Sequence, residues 1–397
     1  MVKKILVFNV GSSTIKFSIF NEKTKILEGK YENLKTKKDY AGAFNRVYQK
    51  IKNKKIELII HRVVHGGDAK KPLKINKNVK QKIKEFSKFA PLHNKRELLI
   101  INLAEKFNKP QYAVFDTSFF VNLPKISTTY PIPSELIKKY KIKKYGFHGL
   151  SHESVSRGID GKTITCHLGA GVSMTAIKNK KPIDTSMGLT PLEGLMMGTR
   201  SGTIDPGLII FLQKKGYDVG KILNFKSGFK GLCNYSDFRD ILKNLNKKNV
   251  KLTYEIFVYQ IVKYIGAYTA ELNGLDNLIF TGAIGENVPK LREDICKHLD
   301  FLKIKLDKSK NIKIQKNFYL IQNKNFEDKK NRKFFASFKS GKHENQWFSS
   351  SRKSKDFREF EDKKNKEIIS SDSSKVKVYV KKANEDEIMV REVMKIL

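Results

Sequence analysis

Cysteine is scarce in this chain: there are three in 397 residues, Cys166, Cys233 and Cys296, far apart and never in a CxxC pair. That excludes a disulfide framework and a cysteine-built zinc site, and the expected compartment is the reducing cytoplasm. Long hydrophobic runs are missing too. None approaches the ~20 residues that a helix needs to cross a bilayer, so no membrane insertion is expected. The opening stretch, MVKKILVFNV, lacks the apolar core and cleavage site of a secretory signal and passes straight into strand-like sequence. Acid is short relative to base, with 40 Asp and Glu against 79 Lys and Arg, a formal net charge of +39. Such a charge admits a binder of nucleic acid or of a membrane surface. Its distribution favours a plainer account. Lysine occurs in nearly every segment and is interleaved with Asn rather than with Arg and aromatics, the mark of a compositional bias, and no specific nucleic-acid partner is expected.

What the chain does contain is enough apolar sequence, 40% of all residues, for two domains with buried cores. Residues 5–9 and 15–20 read as strands around a short turn, Gly11-Ser12-Ser13-Thr14. Residues 163–177, TITCHLGAGVSMTAI, repeat that plan around Gly169-Ala170-Gly171. Two copies of one unusual hairpin, far apart, point to a duplicated domain. Helical spacing marks residues 96–107 and 254–272, the latter with Gly274 as its expected C-cap. A strand at 278–280, a loop at 281–287 and a helix at 289–299 follow, then a strand at 376–380 and a helix at 385–394. Strands mixed with helices make an α/β protein. From about 305 to 367 periodicity decays into Lys, Ser and Asn around the only tryptophan, Trp347, and this stretch reads as an exposed insertion.

Several short stretches carry residue types suited to chemistry. The first turn presents backbone N–H groups and the hydroxyls of Ser12, Ser13 and Thr14, with Lys16 just beyond. It can hold phosphate oxygens, or be an ordinary hairpin turn; it is no Walker A loop, because a strand follows it instead of a helix. HRVVHGG (61–67) follows an apolar strand, where Arg62 could fork onto a carboxylate or phosphate beside Val63 and Val64. Asp116, closing the apolar run in AVFDTSFF, could polarise a nucleophile, orient water or hold magnesium, or cap a helix. In YGFHGLSH (145–152), His148 and His152 lie four residues apart; with no clear third ligand, a phosphate hydrogen bond from His148 is chemically simpler than a metal site. The densest unit, DTSMGLTPLEGLMMGTRSGTIDPG (184–207), has no lysine, one arginine (Arg200), and Asp205-Pro206 as an expected turn. A lysine-free loop in a lysine-saturated chain reads as a site.

Taken in order, FNVGSSTIKF, HRVVHGG, APLHN (90–94), VFDTSF, YGFHGLSH, HLGAGVS, the 184–206 unit, SDFRDI (236–241), GAIGEN (282–287) and SKVKVYV…NEDE make the chain resemble the acetokinase family. That family lies within the acetate and sugar kinase, heat-shock ATPase and actin superfamily. The likeness spans nearly all of the sequence except about 308–364. It implies two duplicated actin-like (ribonuclease H-like) α/β domains with a cleft between them. The first would be residues 1–117 completed by 384–397; the second would be 118–383, carrying the insertion. The implied activity is reversible phosphoryl transfer between ATP and acetate, with Mg²⁺, in a homodimer. Carried over residue by residue, Asn9 and Glu385 match the magnesium-associated positions. Ser12, Thr14 and Lys16 match ATP contacts, as do three loops: His167, Leu168, Gly169, Ala170 and Gly171; Asp237, Phe238 and Arg239; and Ala283, Ile284, Gly285, Glu286 and Asn287. Arg62 matches the acetate-binding arginine, and Val64, Leu92, Phe147 and Pro191 the pocket for the methyl group. Asp116 matches the catalytic aspartate, while His148 and Arg200 match the groups that stabilise the phosphoryl in transfer. The chain departs from the family pattern at Ala170, where Asn is usual, at Ala283, where Gly is usual, and at Lys143, near a position that is commonly Arg.

Acetate is already an ionised nucleophile, so Asp116 is better assigned to alignment than to proton abstraction. A phosphoryl in flight spreads charge over its equatorial oxygens, which Arg62, Arg200, His148 and Mg²⁺ would offset. Two rival readings remain at this point: a kinase for propionate or butyrate, and a non-catalytic polyanion-binding protein on the same fold, attached through the lysine-rich insertion.

Overall fold

The computed structural model describes residues 4–91, 93–314, 346–349 and 367–397. These fall into two compact units, 4–121 with 346–349 and 384–397, and 122–314 with 367–383.

The first unit is built on a seven-stranded sheet: β1 (Lys4–Val10), β2 (Ile15–Asn21), β3 (Thr24–Tyr31), β4 (Leu58–Val63), β5 (Leu73–Lys74), β6 (Gln111–Phe115) and, far along the chain, β11 (Gln346–Ser349). The strand order is β11-β3-β2-β1-β4-β6-β5. β1 pairs antiparallel with β2 and parallel with β4, and β4 pairs parallel with β6. Six of the seven residues of β1 are buried, as expected of a central strand covered on both faces. On one face Phe8, Phe17 and Ile19 pack with Tyr40, Phe44 and Val47 of the helix Lys37–Ile51. The helix Glu385–Met394 packs against β1, β4 and β6.

The second unit repeats the plan. Its sheet contains β7 (Lys162–Leu168), β8 (Val172–Lys178), β9 (Lys181–Thr185), β10 (Asn277–Thr281) and β12 (Lys377–Val380), in the order β12-β10-β7-β8-β9. β7 pairs antiparallel with β8 and parallel with β10, and β10 pairs parallel with β12. An antiparallel meander followed by two parallel additions beside its first strand is thus present twice. The long helix Lys248–Leu272 buries Phe257, Ile261, Ile265 and Leu272 along one face.

Several local expectations need correction. Residues 281–287 are not a loop: Gly282–Asn287 is a short helix. Gly282 at φ +80° turns the chain out of β10, and a Cβ there would lie 2.6 Å from the carbonyl oxygen of Leu168. Asp205-Pro206 is not a free turn but the N-cap and first residue of the helix Pro206–Lys214, the Asp205 carboxylate accepting from the Gly207 N–H at 2.7 Å. The residue that closes Lys248–Leu272 is Asn273, at φ 54°, one position before Gly274. Order also reaches further into the lysine-rich stretch than its composition suggests. The Asp307 N–H donates to Ile369 O at 2.9 Å, Ile314 is buried, and residues 346–349 pair with β3. The rest of the expected 308–364 insertion, with the binding role weighed for it, lies outside the described residues.

Candidate active site

In the first unit, the ends of β1, β4 and β6 converge on one arginine. Arg62, at the end of β4, grips Asp116 with two parallel bonds, Nε to Oδ1 at 3.0 Å and Nη2 to Oδ2 at 2.6 Å. Its Nη1 donates to Asn9 Oδ1 at 3.1 Å and lies 3.6 Å from the Glu385 carboxylate. Asn9 Nδ2 in turn donates to Glu385 Oε2 at 2.7 Å. Burial works against the charge of Arg62, but Asp116 and Glu385 more than offset it and raise its pKa. Asp116 does not cap a helix; it starts the 3₁₀ turn Asp116–Phe120 and commits both oxygens to Arg62. Arg62 has five N–H groups, three of which are engaged in these hydrogen bonds, which leaves one on each Nη to donate elsewhere.

The segment after Arg62 is sewn to the helix Asn94–Leu103. The Val64 N–H donates to Glu97 Oε2 at 3.0 Å, and the His65 N–H to Asn94 Oδ1 at 3.1 Å. Val64 is buried beside Arg62. Leu92 lies outside the described residues. The first turn is tied down from behind: the Gly11 N–H reaches Thr14 O at 2.9 Å, and Tyr40 Oη donates to Gly11 O at 2.8 Å. Ser12 is exposed, Thr14 half-buried, and Lys16, exposed, stands opposite Asn9 in the β1–β2 register.

In the second unit the corresponding hairpin carries a hydrogen-bonded network of histidines and hydroxyls. His167 occupies in β7 the penultimate place that Asn9 occupies in β1, and opposite it stands Ser173. Ser173 Oγ bridges His148 Nδ1 at 2.9 Å and His152 Nε2 at 2.7 Å. Thr165 Oγ1 holds His152 Nδ1 at 2.7 Å, and Ser151 Oγ holds His167 Nδ1 at 2.7 Å. The rings of His148 and His167 stack at 4.2 Å. Burial lowers the pKa of His152 well below the ordinary value, so this ring is neutral, donating one hydrogen bond and accepting the other. His148 and His152 therefore share a serine, and among the described residues no group of three or more His, Cys, Asp and Glu could hold a metal ion.

Gly171, at the tip of this hairpin, is where the chemistry gathers. A Cβ on it would lie 2.9 Å from Nη2 of Arg200 and 2.9 Å from Cε1 of His148. His148 adopts φ 56°, a strained backbone for a side-chain-bearing residue. Arg200 is anchored by Nη1 donating to Pro191 O at 2.6 Å, and no carboxylate pairs with it among the described residues. Burial lowers its pKa to about 10, which leaves it a cation at neutral pH. A buried cation without a counter-ion is costly unless an anion comes to it.

The remaining sequence-predicted residues surround this hairpin or lie further off. Gly169 and Leu168 are buried, and Ala170 is exposed. A Cβ on Gly169 would lie 3.9 Å from the Ala283 amide nitrogen, which sets the helix Gly282–Asn287 beside the β7–β8 turn. Within that helix Glu286 Oε1 accepts from the Gly282 N–H at 3.0 Å and Asn287 Nδ2 donates to Ala283 O at 2.9 Å; Ile284 is buried, and so is Gly285. Asp237 caps the helix Phe238–Lys243 and pairs with the exposed Arg239. Phe238 packs inward on Phe229 and Phe257, so only its backbone faces outward chemistry. Phe147 is buried next to His148.

Residues that sequence reading passed over include Glu97 and Ser173. Glu97 could have been noticed as a lone acid at helical spacing with Ile100, Ile101 and Ala104, all fully buried. Ser173 has no sequence signal beyond its place opposite His167.

As for a divalent cation, Asn9 and Glu385 offer an amide oxygen and a carboxylate side by side. Hard oxygen donors, few in number, are what a cation such as Mg²⁺ takes from protein when water and phosphate oxygens fill its remaining positions, so the donor set fits.

A model of the acetokinase family matches residues 23–327. The acetate kinase of Clostridium acetobutylicum is 41% identical over 358 residues, covering 78% of this chain and 89% of that protein. The acetate kinase of Lawsonia intracellularis is 48% identical over 276 residues, 65% of this chain and 68% of that protein. Among solved structures, a propionate kinase from Francisella tularensis superposes with a TM-score of 0.78 at 32% identity, covering 98% of both chains. The acetate kinase of Porphyromonas gingivalis gives 0.76 at 29% identity, covering 99% of both. The duplicated actin-like α/β architecture expected from the sequence is the observed one.

Proposed function

The chain belongs to the acetokinase family, and on that premise we propose that it transfers the γ-phosphoryl group of ATP to acetate, reversibly, giving acetyl phosphate and ADP. The observation that carries the reading is the convergence of His148 and a half-buried Arg200, which pairs with no carboxylate among the described residues, on Gly171.

An acid carboxylate binds the outer fork of Arg62, with Val64 giving apolar surface to its methyl group; Leu92, Phe147 and Pro191 are assigned to recognition of the methyl group by the family resemblance alone. A carboxylate oxygen attacks the γ-phosphorus, the bond to the β,γ-bridging oxygen breaks, and its electron pair leaves with ADP. The nucleophile carries no proton, so no base is needed. Asp116 fixes the plane and position of the Arg62 guanidinium, and that alignment is its catalytic contribution. Arg200 and His148 offset the charge that spreads over the equatorial oxygens, with Ser173 orienting the His148 ring. The hydroxyls of Ser12 and Thr14, Lys16, the His167–Gly171 turn, Asp237–Arg239 and Ala283–Asn287 are assigned to ATP. Mg²⁺, held by Asn9 and Glu385, would neutralise phosphate charge when bound. By analogy with the family the protein is taken as a cytoplasmic homodimer; the mass in solution by light scattering tests the dimer.

The test of function is acyl hydroxamate formation from ATP, Mg²⁺ and hydroxylamine with acetate, propionate and butyrate in turn. Acetate should give the highest kcat/KM. One methylene changes binding in an apolar pocket by only about 1–3 kcal/mol, so a propionate preference would revise the substrate while keeping the chemistry. No product with any of the three would end the enzyme reading.

A further inference from the structure

Glu97 is fully buried, yet it belongs to none of the roles assigned above. It sits on the helix Asn94–Leu103, and Oε2 accepts the Val64 N–H at 3.0 Å, while Oε1 has no hydrogen-bond partner among the described residues. Its neighbour Asn94 ties down His65, the next residue along, through both backbone groups, at 3.1 and 3.0 Å. The Val64 N–H therefore depends on Glu97 alone. The charged groups that bear on Glu97 are Arg62 at the end of β4, which favours its ionisation, and Asp116 after β6, which opposes it. From the helix Lys37–Ile51, Tyr40 is close enough to sense its charge, with Arg96 over the Tyr40 ring at 5.3 Å.

Resting on the acid-kinase reading, we infer that Glu97 is a positioning residue for the acid substrate: uncharged, it holds Val64 beside Arg62, and when ionised it weakens acid binding by adding a negative charge next to the Arg62 fork. Burial raises its pKa to about 8 even though the Val64 N–H and Arg62 pull the other way. At pH 7 the side chain is therefore mostly a neutral carboxyl that still accepts from Val64 through Oε2. An ionised Glu97 would join Asp116 and Glu385 as a third carboxylate around Arg62, competing with the carboxylate of the substrate for the same cation.

The experiment is a pH series of KM for acetate, with KM for ATP measured alongside, on the wild type, Glu97→Gln and Glu97→Ala. In the wild type, KM for acetate should rise about tenfold from pH 7 to pH 9, the scale of one added partly screened charge, while KM for ATP stays level. Glu97→Gln keeps an oxygen for the Val64 N–H and cannot ionise, so it should match the wild type at pH 7 and lose the alkaline rise. Glu97→Ala should raise KM for acetate at every pH and leave KM for ATP unchanged. An alkaline rise that persists in Glu97→Gln overturns the inference, as does a loss in Glu97→Ala shared equally by both substrates. A readout independent of activity separates this from failure of the functional reading. Thermal unfolding of the wild type and Glu97→Gln should coincide near pH 4.5 and diverge in favour of Gln up to about pH 8, because only the wild type must take up a proton on folding in that interval. Coincident melting at both pH values overturns the inference even in an active enzyme. Absence of acyl phosphate from the wild type at pH 7 overturns the functional reading, and the inference with it.

Discussion

The two sheets share the order of a five-strand core and place different chemistry at matching strand ends. Where β1 and β2 meet, Asn9 faces Lys16, and a cation, two carboxylates and an amide hold one another in a closed set. Where β7 and β8 meet, His167 faces Ser173, and a hydrogen-bonded ladder of histidines, serines and a threonine props up His148 beside an Arg200 that pairs with no carboxylate among the described residues. At the first pole the arginine already has carboxylate partners; at the second it has none among the described residues. Duplication has kept the frame and divided the labour. The first pole suits recognition of a small, permanent anion by a preset fork, and the second suits charge that exists only in the transition state.

That contrast can be broken from either side. The largest effect is expected at the open pole. Arg200→Ala should lower kcat by about 10²–10³-fold, the usual scale for one lost charge-stabilising donor, and should melt no lower than the wild type, since it removes a half-buried charge with no carboxylate partner among the described residues; a large drop in melting temperature would show that Arg200 is internally balanced after all. Arg62→Ala should raise KM for acetate about 10²-fold and also destabilise the protein by roughly 3–5 kcal/mol in urea titrations, because it removes the ion-pair partner of the fully buried Asp116. Equal melting of the two arginine variants would erase the distinction between the poles. Ser173→Ala leaves two histidine nitrogens without their shared partner, and should cost about 1–3 kcal/mol of stability and roughly five- to tenfold in kcat. The smallest effect belongs to Arg239→Ala: its pair with Asp237 lies at the surface, and stability should change by less than about 0.5 kcal/mol, leaving KM for ATP as the sensitive readout.

Much of this was legible in the sequence because hairpin and strand-end signals are local. The alternation around Gly11–Thr14 and around Gly169–Gly171 announced both hairpins, and Arg62 and Asp116 stood at strand ends where α/β folds expose their side chains. What escaped notice depends on contacts between segments. Ser173 matters only because β8 registers it against His167 while the helix Gly149–Ser156 brings His152 to the same hydroxyl. Glu97 reads as one more charged residue until the burial of its helix face is known. The short helix Gly282–Asn287 was missed because a glycine-rich hexapeptide gives no period; the φ of Gly282 and the carbonyl of Leu168 decide its shape.

The hydrogen bond from Asn9 to Glu385 joins residues 376 positions apart. β1 is made long before the helix Glu385–Met394, which covers it and completes the set around Arg62. Folding of the first unit is thereby tied to a segment hundreds of residues later, a closure of high contact order that is slow to form. A fragment ending before residue 384, whether from a premature stop or a proteolytic nick, would keep both sheets in outline and lack Glu385 altogether. The capacity to bind acid thus waits until residue 385 has been made and has folded back onto β1.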